Sequence, residues 1–345
     1  MNFLEIAEAV FFMLELYLNR PNELELRNVA DMPAPVGDEV KIQFRYGGIC
    51  GSDLRVYQGK LAHAAYPLRP GHELVGTIIE AGEEASYAVG TRVVILPNTY
   101  CGECEWCLKG KTNICQYKKS LGVNINGGFS EHLVISSKYV LPIPEDLPFE
   151  RAVLIEPFAV VVHALKKVKI EKDTTVAIFG CGNEGMLAAA LTHHMGAKVT
   201  AIDINPAKLE LVKSLGDIRA VKPEEVQGES FDVVIEAAGT KITVEQGIEL
   251  VKAGGDMILI GFAPEANLPV MRVVRGELTL HGTIIYNFPA DFAQTIEYLR
   301  DPSFKVGPIV SKTLSLANYQ EAYDMALSGN YGKIVFDLRK ASTEA

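Results

Sequence analysis

The stretch TVAIFGCGNEG, Thr175 to Gly185, limits the fold more than any other part of this 345-residue chain. A β-branched run ends in Gly180-Cys181-Gly182-Asn183-Glu184-Gly185, and the helical stretch MLAAALTHHMG follows at once. GxGxxG between a strand and a helix permits a tight turn, lets backbone approach a pyrophosphate, and packs the helix close to its strand. The helix N-terminus then favours negative charge. From about Thr174 the sequence alternates strands with helices: KVTAID, a helix from Pro206 to Leu215, DVVIEAAG, a helix around Ile242 to Lys252, and DMILIGF. That alternation predicts a doubly wound parallel sheet with helices on both faces. Asp203 ends the next strand, 18 residues after Gly185, where a carboxylate can accept both ribose hydroxyls and repel a 2'-phosphate, so NAD is expected over NADP. An ordinary glycine turn beside a solvated Asp is the plainer reading of the same residues.

The first 150 or so residues have another texture. VKIQFRY, LVGTIIEAG, TRVVILP, HLVISS and YVLPIP are short β-branched runs broken by Gly and Pro, which predicts an irregular β-barrel. After about Phe292 a helix and a last strand, GKIVFDL, remain. The length suits two domains. An excess of 43 acidic over 33 basic side chains, with no Lys/Arg run longer than two, argues against a nucleic-acid partner. The apolar start, MNFLEIAEAVFFMLELYL, is interrupted by Glu5, Glu8 and Glu15 and lacks a basic leader. It reads as neither signal peptide nor membrane span, and a cytoplasmic protein without a membrane partner is expected.

Four of the six cysteines form a C-x2-C-x2-C-x7-C run, Cys101, Cys104, Cys107 and Cys115. In a reducing cytosol such a cluster favours metal over disulfide, and four thiolates suit a closed structural zinc site. An iron–sulfur cluster would call for a final spacing of three followed by Pro, whereas here the spacing is seven and Gln116 follows. Metal-free cysteines are the third reading. A quieter set is scattered: Cys50 in GICGSD, His72 with Glu73 in PGHE, and Glu156 in LIEPF. Thiolate, imidazole and carboxylate leave room for water or substrate on a catalytic zinc. Spacing alone does not join these residues, and a lone buried Cys or His is usually core.

Together GICGSD, GHELVG, the four-cysteine lobe, GGFSEH, LIEP, the glycine loop and VTAIDINPAK resemble the zinc-containing alcohol and polyol dehydrogenases of the medium-chain dehydrogenase/reductase superfamily, from about Met13 to Leu338. The likeness is to the sorbitol and threonine dehydrogenase branch. It implies a GroES-like catalytic domain, discontinuous over 1–160 and 293–345, with a Rossmann NAD-binding domain inserted at 161–292. It further implies Cys50, His72 and Glu156 as catalytic zinc ligands, Glu73 as an exchangeable carboxylate, Asp53 orienting the ligand histidine, and Ser52 as first proton acceptor. Gly180, Gly182, Gly185, Asp203 and Lys208 would bind the cofactor, Lys208 supporting its ribose. One catalytic and one structural zinc per chain, a small-molecule alcohol substrate, and a homo-oligomer, tetramer before dimer, complete the implication. Residues 1–12 have no counterpart in the family pattern.

Three positions depart from that pattern. Arg55 stands where many relatives carry a proton-relaying histidine; a guanidinium stays protonated, so Arg55 either contacts substrate or is a surface charge. Ile285 precedes Tyr286 where sorbitol-type enzymes tend to have Arg, which points to a smaller or less polar alcohol. Glu184 occupies a place where relatives usually put an apolar residue. His193 and His194 read as structural or exposed. The rival readings are a zinc-free reductase, which would lack both cysteine sets, and an NAD-binding protein without activity.

Overall fold

The computed structural model describes residues 12–339, so the expectations for the N-terminal extension fall almost wholly on 1–11, outside the described residues. Strands β1 (Phe12–Arg20) and β2 (Glu23–Ala30) form an antiparallel hairpin. Then come β3 (Glu39–Gly48), β4 (Glu73–Ala81), β5 (Arg92–Ile95), β6 (His132–Ser136) and β7 (Val140–Pro142). There follow β8 (Thr175–Phe179), β9 (Lys198–Ile202) and β11 (Phe231–Glu236), which are largely apolar and buried, with β10 (Arg219–Val221), β12 (Val251–Leu259) and β13 (Thr279–Gly282). The chain ends in β14 (Val310–Ser315) and β15 (Lys333–Asp337).

Strands β8–β13 make one all-parallel sheet in the order β10-β9-β8-β11-β12-β13. The order reverses between β8 and β11, the topological switch point where such sheets bind dinucleotides beyond the strand ends. The other large sheet runs β14-β15-β3-β4-β5-β7, with β6 also on β3. Because β15 pairs antiparallel with β3, the end of the chain returns to the first lobe, which is what a discontinuous domain requires. Between the lobes lies the helix Ile155–Leu165, buried on nearly every face, including Phe158, Val161 and Val162. Each such side chain contributes about 1.5–3 kcal/mol relative to exposure, so the helix ties the lobes together.

Local details depart from the sequence reading. The helix expected to reach Lys252 is Lys241–Glu249, and Val251 already pairs with Phe231; the long β12 takes those residues. The C-terminal part holds more than one helix and one strand: Ala290–Arg300, β14 and Tyr319–Ser328 precede β15. Among the described residues no helix is long and apolar enough to cross a membrane.

Candidate active site

The turn after β3 delivers the first ligand candidate. Cys50 is the N-cap of the helix Gly51–Tyr57, and its backbone N–H donates to Asp53 Oδ2 at 2.9 Å. Asp53, itself buried, accepts from the Gly71 N–H at 3.2 Å. Its Oδ1 also lies 3.2 Å from His72 Nδ1, close enough for an ion pair although the angles leave that nitrogen without a proper hydrogen bond. One aspartate thus fixes both the turn carrying Cys50 and the ring of His72, whose Nε2 is 3.3 Å from Ser52 Oγ. Burial opposes charge on His72, and Asp53 outweighs it, holding the imidazole well above its ordinary pKa.

Glu73 begins β4 and is wholly buried. Its Oε1 accepts from Lys333 Nζ at 2.5 Å, both side chains being fully shielded. Burial works against the Lys333 charge, but Glu73 and Cys50 together raise its pKa. The other oxygen, Oε2, is buried without a partner and occupies the space a Cβ at Gly48 would take, 2.1 Å away. Cys50, His72 and Glu73 bring their ligand atoms within 4.8 Å of one another. A buried carboxylate oxygen lacking any donor, beside a thiol and an imidazole, fits a cation and would be costly without one.

Glu156, the sequence choice for third ligand, does not join that trio at the same spacing. It lies in the first turn of the helix Ile155–Leu165, buried, with Oε1 accepting from the Tyr286 hydroxyl at 2.7 Å. Burial pushes its carboxyl up to about 7, with the His72 charge opposing and that of Glu73 adding. Burial and Glu156 raise the Tyr286 hydroxyl, which keeps its proton. Arg55 is exposed, one helical turn beyond Ser52.

The four-cysteine lobe is a different kind of site. Sγ–Sγ separations are 3.9 Å for Cys101–Cys107, 4.0 Å for Cys104–Cys115 and 3.7 Å for Cys115–Cys101. Zinc–sulfur bonds of about 2.3 Å give tetrahedral edges of about 3.8 Å, so the free thiols already stand at the corners of a zinc tetrahedron. Asn113, inside this lobe, donates to the Ile284 carbonyl at 3.1 Å.

The glycine loop divides its tasks. Gly180 has φ +90°, and a Cβ there would come within 2.7 Å of the Ala238 nitrogen; one at Gly185 would meet the Gly180 carbonyl at 1.8 Å. At Gly182 a Cβ would meet nothing within 4 Å, so that face is open to a ligand. Asp203 Oδ2 accepts from the Cys181 N–H at 2.7 Å and Oδ1 from the Asn205 N–H at 2.8 Å, which places the carboxylate against the loop. Glu184 is in the first turn of the helix Asn183–His194, half-buried. Its charge acts on Lys333, Lys208 and Cys50, so two lysines and a helix N-terminus account for a carboxylate in this place.

The segment from Gly329 to Lys333 spans the cleft. Asn205 Nδ2 donates to the Gly329 carbonyl at 3.0 Å and to Asn330 Oδ1 at 3.1 Å. Lys208 Nζ donates to the Tyr331 carbonyl, and two residues later Lys333 reaches Glu73. Lys333, Tyr286 and Asn98 were not singled out from the sequence. The available signal was a lysine heading an otherwise apolar central strand, KIVFD, whose five residues are all buried.

Known families and proteins resemble the chain over both lobes. The alcohol dehydrogenase GroES-like domain family matches residues 37–145 and the zinc-binding dehydrogenase family matches 185–301. An L-threonine 3-dehydrogenase of Coxiella burnetii is 31% identical, covering 89% of this chain and 94% of its own. A sorbitol dehydrogenase of Halalkalibacterium halodurans is 30% identical over 88% of this chain and 92% of its own. Among solved structures, a Sinorhizobium meliloti protein described as a zinc-binding dehydrogenase and bound to NADP superposes with a TM-score of 0.88 at 26% identity, covering 95% of this chain and 99% of that one.

Proposed function

The chain belongs to the zinc-binding dehydrogenases, and from that premise we propose that it transfers hydride between a secondary alcohol or polyol and NAD. The observation that carries the reading is the trio of Cys50, His72 and Glu73, with its unpartnered carboxylate oxygen; Lys333, the partner of Glu73, also feels the charge of Glu184 at the glycine loop. A catalytic zinc would be held by Cys50, His72 and a carboxylate, Glu73 from within the trio and Glu156 from beside it. A second, structural zinc would be held by the four cysteines.

Zinc bound at the trio supplies Lewis acidity toward the substrate oxygen, and the nicotinamide dinucleotide supplies the hydride acceptor. The chain's own residues do the rest. Ser52 Oγ, beside His72 Nε2, relays the hydroxyl proton, accepting it as its own passes on to the cofactor ribose, and Asp53 sets the ring so that Nε2 faces the site. Asp203 receives the ribose hydroxyls and, by charge, selects NAD over NADP. Lys208 lies beside it and Gly182 leaves the backbone open to the pyrophosphate. Arg55, exposed one helical turn beyond Ser52, would meet a polar or anionic part of the substrate. Ile285 in place of a cation suits a smaller or less polar alcohol, whereas an amino-acid alcohol such as threonine, the substrate named for one relative, would turn to Arg55 for its carboxylate.

We also read the protein as cytoplasmic and homo-oligomeric, with 161–292 as the cofactor domain and the flanking segments as the catalytic one. Exposed Leu268, Val270, Met271 and Val274, on and just before the helix Val270–Gly276 and near the edge strand β13, support self-association. The test is zinc analysis together with NAD reduction over a panel of polyols, diols, sugars and threonine. Cys50→Ser should lose one zinc and all activity together. A fully active, zinc-depleted variant would sink the assignment.

A further inference from the structure

We propose that Tyr286, oriented by Asn98, is a positioning residue that holds Glu156 at the metal centre with one oxygen tied and the other left free. The inference rests on the reading of Glu156 as a carboxylate of that centre and concerns how the fold aims it.

Ser120 Oγ donates to Asn98 Oδ1 at 2.7 Å, and Asn98 Nδ2 donates to the Tyr286 oxygen at 3.0 Å. A phenol has one proton. With an N–H donor on its one side, that proton goes to Glu156 Oε1, 2.7 Å away. That bond occupies Oε1 of Glu156. Its remaining oxygen is the one available to a cation.

The tyrosine is itself held on both sides. Its ring meets Phe292 edge-on at 4.7 Å between centroids. Ile285, just before it, has a left-handed φ of 38°, unusual and strained for a β-branched residue. Asn113 of the four-cysteine lobe donates to the Ile284 carbonyl, and the Asn287 N–H donates to Asp291 Oδ2 at 2.6 Å. The segment 284–287 is thus pinned between the cysteine lobe and the helix Ala290–Arg300. A strained backbone clamped at both ends around one buried hydroxyl is what accurate placement of a carboxylate needs.

The experiment uses the zinc-loaded enzyme and follows release of each zinc to a chelator, with cobalt substituted at the catalytic site for a spectrum. Tyr286→Phe removes the hydroxyl. Asn98→Asp keeps the tyrosine but replaces the amide donor by an acceptor, so that the phenol proton turns away from Glu156. Both should weaken catalytic metal retention about 10–100-fold, the usual effect of losing such an outer partner, shift the cobalt spectrum, and leave the four-cysteine zinc and the melting profile of the rest unchanged. In a Glu156→Ala background, Tyr286→Phe should add nothing. If Glu156→Ala weakens retention while Tyr286→Phe does not, the positioning role is wrong. If Glu156→Ala itself leaves retention unchanged, the ligand reading of Glu156 fails and the inference falls with it.

Discussion

Replacing Lys333 by Met would test how the metal centre is balanced. In the zinc-free protein the substitution strands the Glu73 carboxylate, whose side chain is 0% exposed and whose ion-pair partner was 2.5 Å away. Breaking a buried pair from one side costs about 3–5 kcal/mol, which is about two to three and a half powers of ten in the unfolding equilibrium. A zinc held by the trio would supply the missing positive charge, and the loss should then shrink to less than half. Glu73→Gln combined with Lys333→Met removes both charges and should recover most of the zinc-free loss. The assay is urea unfolding with and without chelator, with hydrogen exchange of the paired β3 and β15 amides locating the damage. Equal stability of zinc-free wild type and Lys333→Met, or a double variant no better than the single one, would refute the reasoning.

Further outcomes are expected elsewhere. Cys115→Ser should release the four-cysteine zinc, expose 101–115 to protease and leave the other zinc in place, as metal analysis of the purified protein would register. Asp203→Ala should raise KM for NAD by about 10–100-fold and narrow the preference over NADP, since the removed carboxylate both binds the ribose and repels a 2'-phosphate; steady-state kinetics with both cofactors decides it. Asp291 is buried and, although burial alone would raise it, His163 and Lys166 hold its carboxyl below the usual 3.8. A depressed acid stabilises the fold above its unfolded pKa, and that contribution is lost as pH falls through the folded value. Asp291→Asn should therefore be less stable than wild type by about 2–4 kcal/mol at pH 6, with the gap closing below about pH 4. A gap that stays constant across that range would exclude this origin.

The sequence discloses the Rossmann half almost in full, because a parallel sheet buried on both faces writes apolar runs at regular spacing and its glycines carry steric duties that no other residue can take. Gly180 and Gly185 are examples, each facing backbone at less than 3 Å from where a Cβ would stand. The scattered trio becomes visible only through family likeness, since Cys50, His72 and Glu73 come together by the pairing of β3 with β4 and no local pattern encodes a pairing. Even that likeness brought Glu156 forward as ligand and Glu73 as exchangeable, whereas the fold gathers Glu73 first. Lys333 and Tyr286 were out of reach for a related reason. Each acts 130 or more residues from its partner, at 260 and 130 positions respectively, and an inward lysine at the head of a strand looks like a surface residue until β15 is seen to be central.

The short stretch from Gly329 to Lys333 sits on the surface at one end and in the deepest part of the cleft at the other. Surface loops usually absorb insertions at little cost. Here the first residues grip Asn205 and Lys208 near Asp203, and the last begins a strand whose side chains alternate between faces. Adding or deleting a single residue while the grip holds would turn Lys333 to the opposite face of the sheet and leave Glu73 facing an aliphatic neighbour. The spacing between cofactor lip and metal centre is therefore counted out in residues, and this loop keeps the count.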